Sequence, residues 1–353
     1  MNPVRFIVVG LGARAQYWLR VLNSSPDCEV VGLVDPRPQM QERALGLCPG
    51  AAAGSDFAAI ARSVGADAVL LCTPPSGREA QIETALSARL AILAEKPLAD
   101  TLATAAQYVA MAEAAGIMLM VGLNFRYLAV TQATLALFDN EVGKPEFARF
   151  TYERWRDGML PHLNKYPLEM AQPMLWEQSI HHFDLLRYVY RSEPVRVFAR
   201  TFNPSWSMYA HDANVSAIFE FENGLVANYQ GTWQGNWDQL GFNWRSECRD
   251  GIVVQRHQFG DLAFARRKDA ELTAVPLPAY TQWIDDAVEL LRAFVAAYCG
   301  EAPPQCSGRD HLQSLRMVEA CIQSSLSGQA INPAELQTGP EQKLSRTKER
   351  NFQ

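Results

Sequence analysis

Short continuous apolar runs alternate with helically spaced segments through the first 120 residues. Phe6–Val9, Val30–Val34, Ala68–Cys72, Ala91–Ala94 and Ile117–Val121 read as strands buried on both faces. Between them, Ala13–Leu22, Pro38–Leu47, Arg78–Ala88 and Thr101–Ala115 have helical spacing, with Gly116 as a C-terminal cap. Asp35-Pro36 ends the second strand and Pro74-Pro75 stops the third. Apolar strands that alternate with helices predict a parallel, doubly wound sheet.

After about residue 122 the pattern changes. Tyr127–Phe138 reads as a helix, Glu146–Glu153 alternates like a half-buried strand, and Gly158–Pro173 reads as a loop with three prolines. Trp176–Tyr190 is helical. From Val195 the period is two: Val195–Thr201, Asn214–Phe221 and Leu225–Trp233 predict antiparallel strands, with Asn223-Gly224 as a hairpin turn. Further short strands are expected near Gly241–Cys248 and Ile252–Gln255. Helices are expected over Trp283–Tyr298 and Arg309–Leu326. The expected division is a nucleotide-binding domain over 1–122, an α+β domain over 123–335 and a polar tail over 336–353.

Length and composition fit two globular domains: 353 residues, 48% apolar and 20% charged. The net charge of −6 does not favour nucleic acid or an anionic membrane. Seven scattered cysteines without a CxxC pair argue against a disulfide framework or zinc ribbon, and for reduced thiols in the cytoplasm. Phe6–Val9 is too short for a signal-peptide core. The stretch Val109–Leu123 contains Glu113 and Gly116 and does not read as a membrane span.

The chemistry begins at Gly10-Leu11-Gly12-Ala13-Arg14-Ala15, directly after the first strand. This is G-x-G-x-x-A, a dinucleotide fingerprint in its strand–turn–helix context. Gly10 allows the tight turn, Gly12 the approach of a pyrophosphate, and Ala15 close helix packing. The helix start at Ala13 and Arg14 supplies N–H groups for the anion. Asp35 ends the second strand, 23 residues after Gly12, where a carboxylate accepts the ribose hydroxyls of NAD. Its alternative role is an Asx-turn before Pro36. Arg37 can pair with a 2′-phosphate, so NAD is favoured and NADP stays open.

Three further blocks are Cys72-Thr73-Pro74-Pro75, Glu95-Lys96-Pro97, and Glu177-Gln178-Ser179-Ile180-His181-His182-Phe183-Asp184. Together with the glycine turn they resemble the glucose–fructose oxidoreductase, inositol dehydrogenase and MocA-like family over about residues 4 to 330. The resemblance implies a Rossmann domain followed by an α+β domain on a large, open, mainly antiparallel sheet. It implies hydride transfer between a nicotinamide and a carbinol or carbonyl of a sugar, sugar acid or cyclitol. The E-K-P lysine falls on Lys96 and the catalytic histidine on His181. Glu177 stands where the family usually has Asp, and Pro173-Met174-Leu175-Trp176 where it often has a glycine pair. Thr73, Pro74, Glu95 and Lys96 fall beside the nucleotide, and Trp176 at the pocket rim.

These residue types suit that chemistry. Histidine serves as base or acid near neutrality. Glu177 and His181 are four apart on a helix, so the carboxylate is expected to orient the imidazole. The Lys96 ammonium can hold a developing alkoxide. His182 points away around the helix, and Asp184 is expected to make a structural hydrogen bond. Glu177, His181 and Asp184 could instead ligate a metal, but no metal motif supports that and none is expected. Asn124, Arg126, Trp155, Arg156, His162, Lys165 and Tyr166 are candidates to line the substrate pocket. Alternatively they cover the sheet, or Arg156 pairs with Asp157. Trp206, Trp233, Trp237 and Trp244 are read as core or interface residues.

Two other functions share these motifs: a redox-assisted glycosidase or lyase that retains NAD, and a non-catalytic nucleotide sensor. Aromatic-rich, two-period strands with few helices to cover them also predict a homodimer or homotetramer through the C-terminal sheet.

Overall fold

A computed structural model describes residues 2–161 and 163–337, so His162 and most of the polar tail lie outside the described residues. The first sheet is built from β1 (Val4–Val9), β2 (Cys28–Val34), β3 (Ala52–Gly54), β4 (Ala68–Leu71), β5 (Ala91–Ala94) and β6 (Leu119–Val121). Its order is β3-β2-β1-β4-β5-β6 and every pair is parallel. The helices between the strands are α1 (Ala13–Ser24), α2 (Pro38–Leu45), α3 (Phe57–Ser63), α4 (Glu79–Ser87) and α5 (Leu102–Ala114). This is the predicted doubly wound sheet. Its strand order reverses between β1 and β4, and ligands bind outside the carboxyl ends at such a point.

Two elements here had no readable pattern. β3 is a three-residue Ala-Ala-Gly edge, without β-branched residues. The short, alanine-rich α3 starts where the Asp56 side chain accepts the Ala59 N–H at 3.1 Å. Gly116 follows α5 with φ +63°, as its expected capping role requires.

The second sheet has the order β14-β13-β12-β11-β7-β10-β9-β8. Its members are β7 (Pro145–Glu153), β8 (Pro194–Phe202), β9 (Asn214–Phe221), β10 (Val226–Thr232), β11 (Gly241–Cys248), β12 (Gly251–His257), β13 (Gly260–Arg266) and β14 (Thr273–Ala274). All pairs are antiparallel except β7 with β10, which run parallel. The series β8-β9-β10 is antiparallel as expected, and the one parallel pair joins β10 to β7. β9 and β10 meet through the Asn223-Gly224 turn, with Gly224 at φ +85°.

Helix α6 (Ala129–Leu137) follows a 3-10 turn over Asn124–Tyr127, so it starts two residues later than predicted. Helix α7 (Ile180–Tyr190) lies against one face of the second sheet. Phe183 meets Phe219 and Tyr229 edge-on, and Tyr190 meets Phe221 and Trp244. Helix α8 (Asp285–Tyr298) returns to the first sheet, and α9 (Gly308–Ser327) also runs along the second, where Ser324 and Ser325 accept the Ala199 and Thr201 N–H groups of β8 at 2.9 Å. Phe294 packs on Phe6, and the Val121 N–H bonds the Cys306 carbonyl at 2.8 Å. No helix among the described residues is long and apolar enough to cross a membrane.

A buried ion cluster ties the 124–127 turn, α7 and α9 together. Arg126 donates to Asp184, Asp310 and the Gln305 carbonyl, and Arg187 to Asp310, Glu193 and Ser314. Burial raises the Asp310 pKa, but the two arginines outweigh it and the net direction is down. That contribution to stability is full above the unfolded carboxyl value near ~3.9 and is lost as pH falls further. Arg126→Met takes the close cation from buried Asp184 and leaves Asp310 to Arg187 alone, and should cost about 3–5 kcal/mol. Urea unfolding followed by circular dichroism measures this, and an unchanged midpoint would contradict the cluster's role.

Candidate active site

Four strand ends supply the nucleotide side. Gly10 follows β1 with φ +84°, and a Cβ there would lie 2.9 Å from the Thr73 backbone nitrogen after β4. Only glycine fits that approach. A Cβ on Gly12 would meet nothing within 4 Å, and no side chain caps α1. The first-turn N–H groups, from Ala13 and Arg14 onward, therefore face a cradle fit for an anion. Thr73 Oγ1 donates to Gln81, and Pro74 continues the turn.

Asp35 ends β2 and is already saturated. It accepts the Leu11 N–H at 2.8 Å, the Arg37 N–H at 2.9 Å, and Nε and Nη2 of Arg37 at 2.9 and 3.0 Å. Burial raises its pKa, but these bonds outweigh that and hold it low. Arg37 is 61% exposed and so can swing away.

Glu95 Oε1, after β5, accepts Nε of Arg14 and the Trp18 indole, each at 2.6 Å. Arg14 also faces the Trp18 and Trp283 rings. Lys96 turns the other way and donates to the Glu177 carbonyl at 2.7 Å and to Glu177 Oε2 at 3.0 Å. Tyr166 OH donates to Glu177 Oε1 at 2.8 Å.

Glu177 lies in a π-helical turn, Met174–Ser179, that precedes α7. This corrects the expected pairing of Glu177 with His181. A π turn closes i→i+5 bonds, so residues four apart no longer stack as on an α-helix. The Glu177 carboxylate points to Lys96 and Tyr166. His181 instead stacks on Phe125, with centroids 4.2 Å apart, and its Nδ1 has no partner. Burial, with Lys96, His182 and Arg14 adding to it, pushes the His181 pKa well below the usual imidazole value. The His181 imidazole is thus held neutral.

The other candidates divide. Asn124 is buried and donates to Asp286, while Arg126 and Asp184 belong to the ion cluster. Neither Asn124 nor Arg126 is free for a substrate as expected, because each is taken by an acid distant in sequence. Trp176 is 4% exposed and packs in the core rather than at a rim. Trp155 is half-buried in a bridge to Gln234, and Lys165 is held by the Gly158 and Leu160 carbonyls. Arg156 lies over the Trp233 ring and donates to Tyr209 OH, with no bond to Asp157. His182, its pKa pushed by burial to about 3, pairs with Tyr229 and Gln178. Glu177, His181 and Asp184 do not converge. Among the described residues no His, Cys, Asp and Glu group is arranged to hold a metal.

Sequence reasoning missed Arg78. It is 1% exposed, and its Nη1 donates to the carbonyls of Glu95, Pro97 and Leu98 at 2.6, 2.9 and 3.2 Å. Its Nη2 donates to the Thr73 carbonyl. His311, pushed down to about 3 by burial and so neutral, accepts the Leu98 N–H at 3.3 Å. One signal was present: Arg78 is the N-cap of α4, where Ser, Thr, Asp or Asn is preferred.

Comparison with known proteins gives the family. The profile of the GFO_IDH_MocA oxidoreductase family with an NAD-binding Rossmann fold matches residues 4–123, and that of the GFO/IDH/MocA C-terminal domain matches residues 130–249. The chain belongs to the GFO/IDH/MocA family. This GFO/IDH/MocA protein is an NAD-binding oxidoreductase. It is 24% identical to 1,5-anhydro-D-fructose reductase of Ensifer adhaerens, over 95% of this chain and 99% of the relative. It is 25% identical to inositol 2-dehydrogenase of Rhizobium meliloti, over 94% and 99%. An Agrobacterium radiobacter oxidoreductase, solved with NAD+, L-tartaric acid and magnesium, shares the fold. Its TM-score is 0.86 at 17% identity, covering 94% of this chain and 99% of that one.

The cradle at Gly10 and Gly12 and the carboxylate at Asp35 fit NAD. Ribose hydroxyls reach Asp35 only when Arg37 releases it. Arg37→Ala should therefore tighten NADH binding severalfold and weaken NADPH binding about tenfold, the loss of one charge-assisted bond. Fluorescence titration of both dinucleotides reads this. Unchanged affinities for both would remove Arg37 from the cofactor site.

Proposed function

We propose that this GFO/IDH/MocA protein oxidises or reduces a carbinol or carbonyl carbon of a sugar, sugar acid or cyclitol. His181 is the acid/base, Lys96 holds the reacting oxygen, and Glu177 positions Lys96. One observation carries the reading. Lys96, at the carboxyl edge of the nucleotide sheet, meets Glu177 four residues before the buried, unpartnered imidazole of His181. The names of the relatives, a reductase of an anhydrosugar and an inositol dehydrogenase, support the substrate class.

NAD, when bound, supplies the hydride acceptor or donor. The chain's own residues do the rest. An ammonium has three N–H donors, and Lys96 gives two to Glu177. The third is left for the reacting oxygen, where it stabilises an alkoxide. Neutral His181 takes the hydroxyl proton at Nδ1 or Nε2 in oxidation, and returns it in reduction. NADP is an alternative dinucleotide, through Arg37.

The same reading places the nucleotide and substrate domains on either side of residue 122 and the protein in the cytoplasm. It also places a second copy of the chain on the outer face of the second sheet. That face exposes Phe147, Phe198, Ile218 and Val226 on adjacent strands, with Phe198 opposite Ile218 and Val226 opposite Phe147. Light scattering should give a dimer or tetramer, and Ile218→Lys should shift it toward monomer. A monomeric wild type would contradict this assembly.

His181→Ala should lower turnover on the best substrate about 10²–10⁴-fold while NADH still binds. Glu177→Gln should be milder. The amide keeps an oxygen that accepts from Lys96 but loses the charge that fixes the ammonium. Near-normal turnover of His181→Ala, in the presence of saturating NAD, would move the acid/base elsewhere.

A further inference from the structure

We infer that Arg156 binds a carboxylate of the substrate, so that the preferred substrates are hydroxy acids such as uronates or aldonates. This rests on the dehydrogenase reading and deepens it. Most cations around the site are compensated: Arg14 by Glu95, Arg37 by Asp35, Lys96 by Glu177, and Arg126 by Asp184. Arg156 is not. Among the described residues no carboxylate pairs with it, and its side chain makes one hydrogen bond, from Nη1 to the Tyr209 phenol at 3.0 Å.

The site around Arg156 is built. Its guanidinium carbon lies 4.3 Å from the centre of the Trp233 ring, a cation–π contact that holds the fork in place. Tyr209 OH donates back to the Arg156 carbonyl at 3.0 Å, and the Arg156 N–H bonds the Trp233 carbonyl at 2.9 Å. The arginine thus follows β7 where that strand continues beside the extension of β10. The Ala210 N–H bonds the Leu168 carbonyl at 2.9 Å, so Tyr209, the partner of Arg156, lies beside the Tyr166–Leu168 turn, and Tyr166 OH bonds Glu177 of the reaction centre. Four of five guanidinium N–H groups remain, in a fork that matches two oxygens of a planar carboxylate. Glu177 is balanced by Lys96, so an added anion meets a net positive neighbour.

The test uses the NAD-loaded protein and matched pairs: D-galacturonate with D-galactose, D-gluconate with D-glucitol, and D-galactose 6-phosphate as a second anion. The wild type should prefer the carboxylates by about 10–100-fold in kcat/KM, the range of a charge-assisted pair. Arg156→Met should bring that ratio close to one, mainly through KM, and Arg156→Lys should retain part of it. NADH titration shows that each variant is folded. Preference for a neutral sugar or for the phosphate, or an equal loss on all substrates in Arg156→Met, overturns the inference. Calorimetry separates it from the reading beneath. Carboxylate binding that depends on Arg156, without any turnover, upholds the anion site and removes the dehydrogenase. Turnover of neutral sugars with no carboxylate preference does the reverse.

Discussion

Arg78 lies buried where β4 and β5 release their chains, and it directs its donors to four main-chain carbonyls rather than to an acid. Burial lowers its pKa, and the nearby Glu95 charge opposes that. Replacing the water around a guanidinium costs several kcal/mol. Here the carbonyl dipoles of Thr73, Glu95, Pro97 and Leu98 offset it. The result is a tie between the segments that follow β4 and β5. Lys96 lies inside the clamped segment, so its stem starts from a fixed point. On the role proposed for Lys96, a misplacement near 1 Å would cost about 10²-fold in rate.

From that point Lys96 crosses to Glu177 and joins the two halves of the molecule. The π turn aims both the Glu177 carbonyl and its carboxylate at the ammonium. Tyr166 closes the other oxygen from the loop between β7 and α7. The acid therefore serves the lysine. The histidine is controlled by burial, by cationic neighbours and by its stack on Phe125. Burial thus keeps the imidazole neutral while the acid fixes the direction of the lysine.

Much of this was legible in the sequence. The strand–helix rhythm, the glycine turn, Asp35 and the Glu95-Lys96-Pro97 strand end fall where the pattern put them, because local patterning and turn chemistry decide them. The partner of Glu177 was not legible, since spacing rules for an α-helix do not hold across a π turn. Asn124 and Arg126 read as pocket candidates in the sequence. Their acids, Asp286 and Asp310, come 162 and 184 residues later. Nothing local announces such pairs. Arg78 left a trace as an unusual N-cap, but its acceptors are backbone atoms, which carry no signature in sequence.

The most direct test of the clamp is the single-turnover rate of hydride transfer in Arg78→Ala, with and without millimolar guanidine. The account predicts transfer about 10²-fold slower than wild type with NADH still bound, and partial recovery when guanidine fills the vacated site. Wild-type transfer in Arg78→Ala, or a slow rate that guanidine leaves unchanged in a folded, NADH-binding protein, would contradict it.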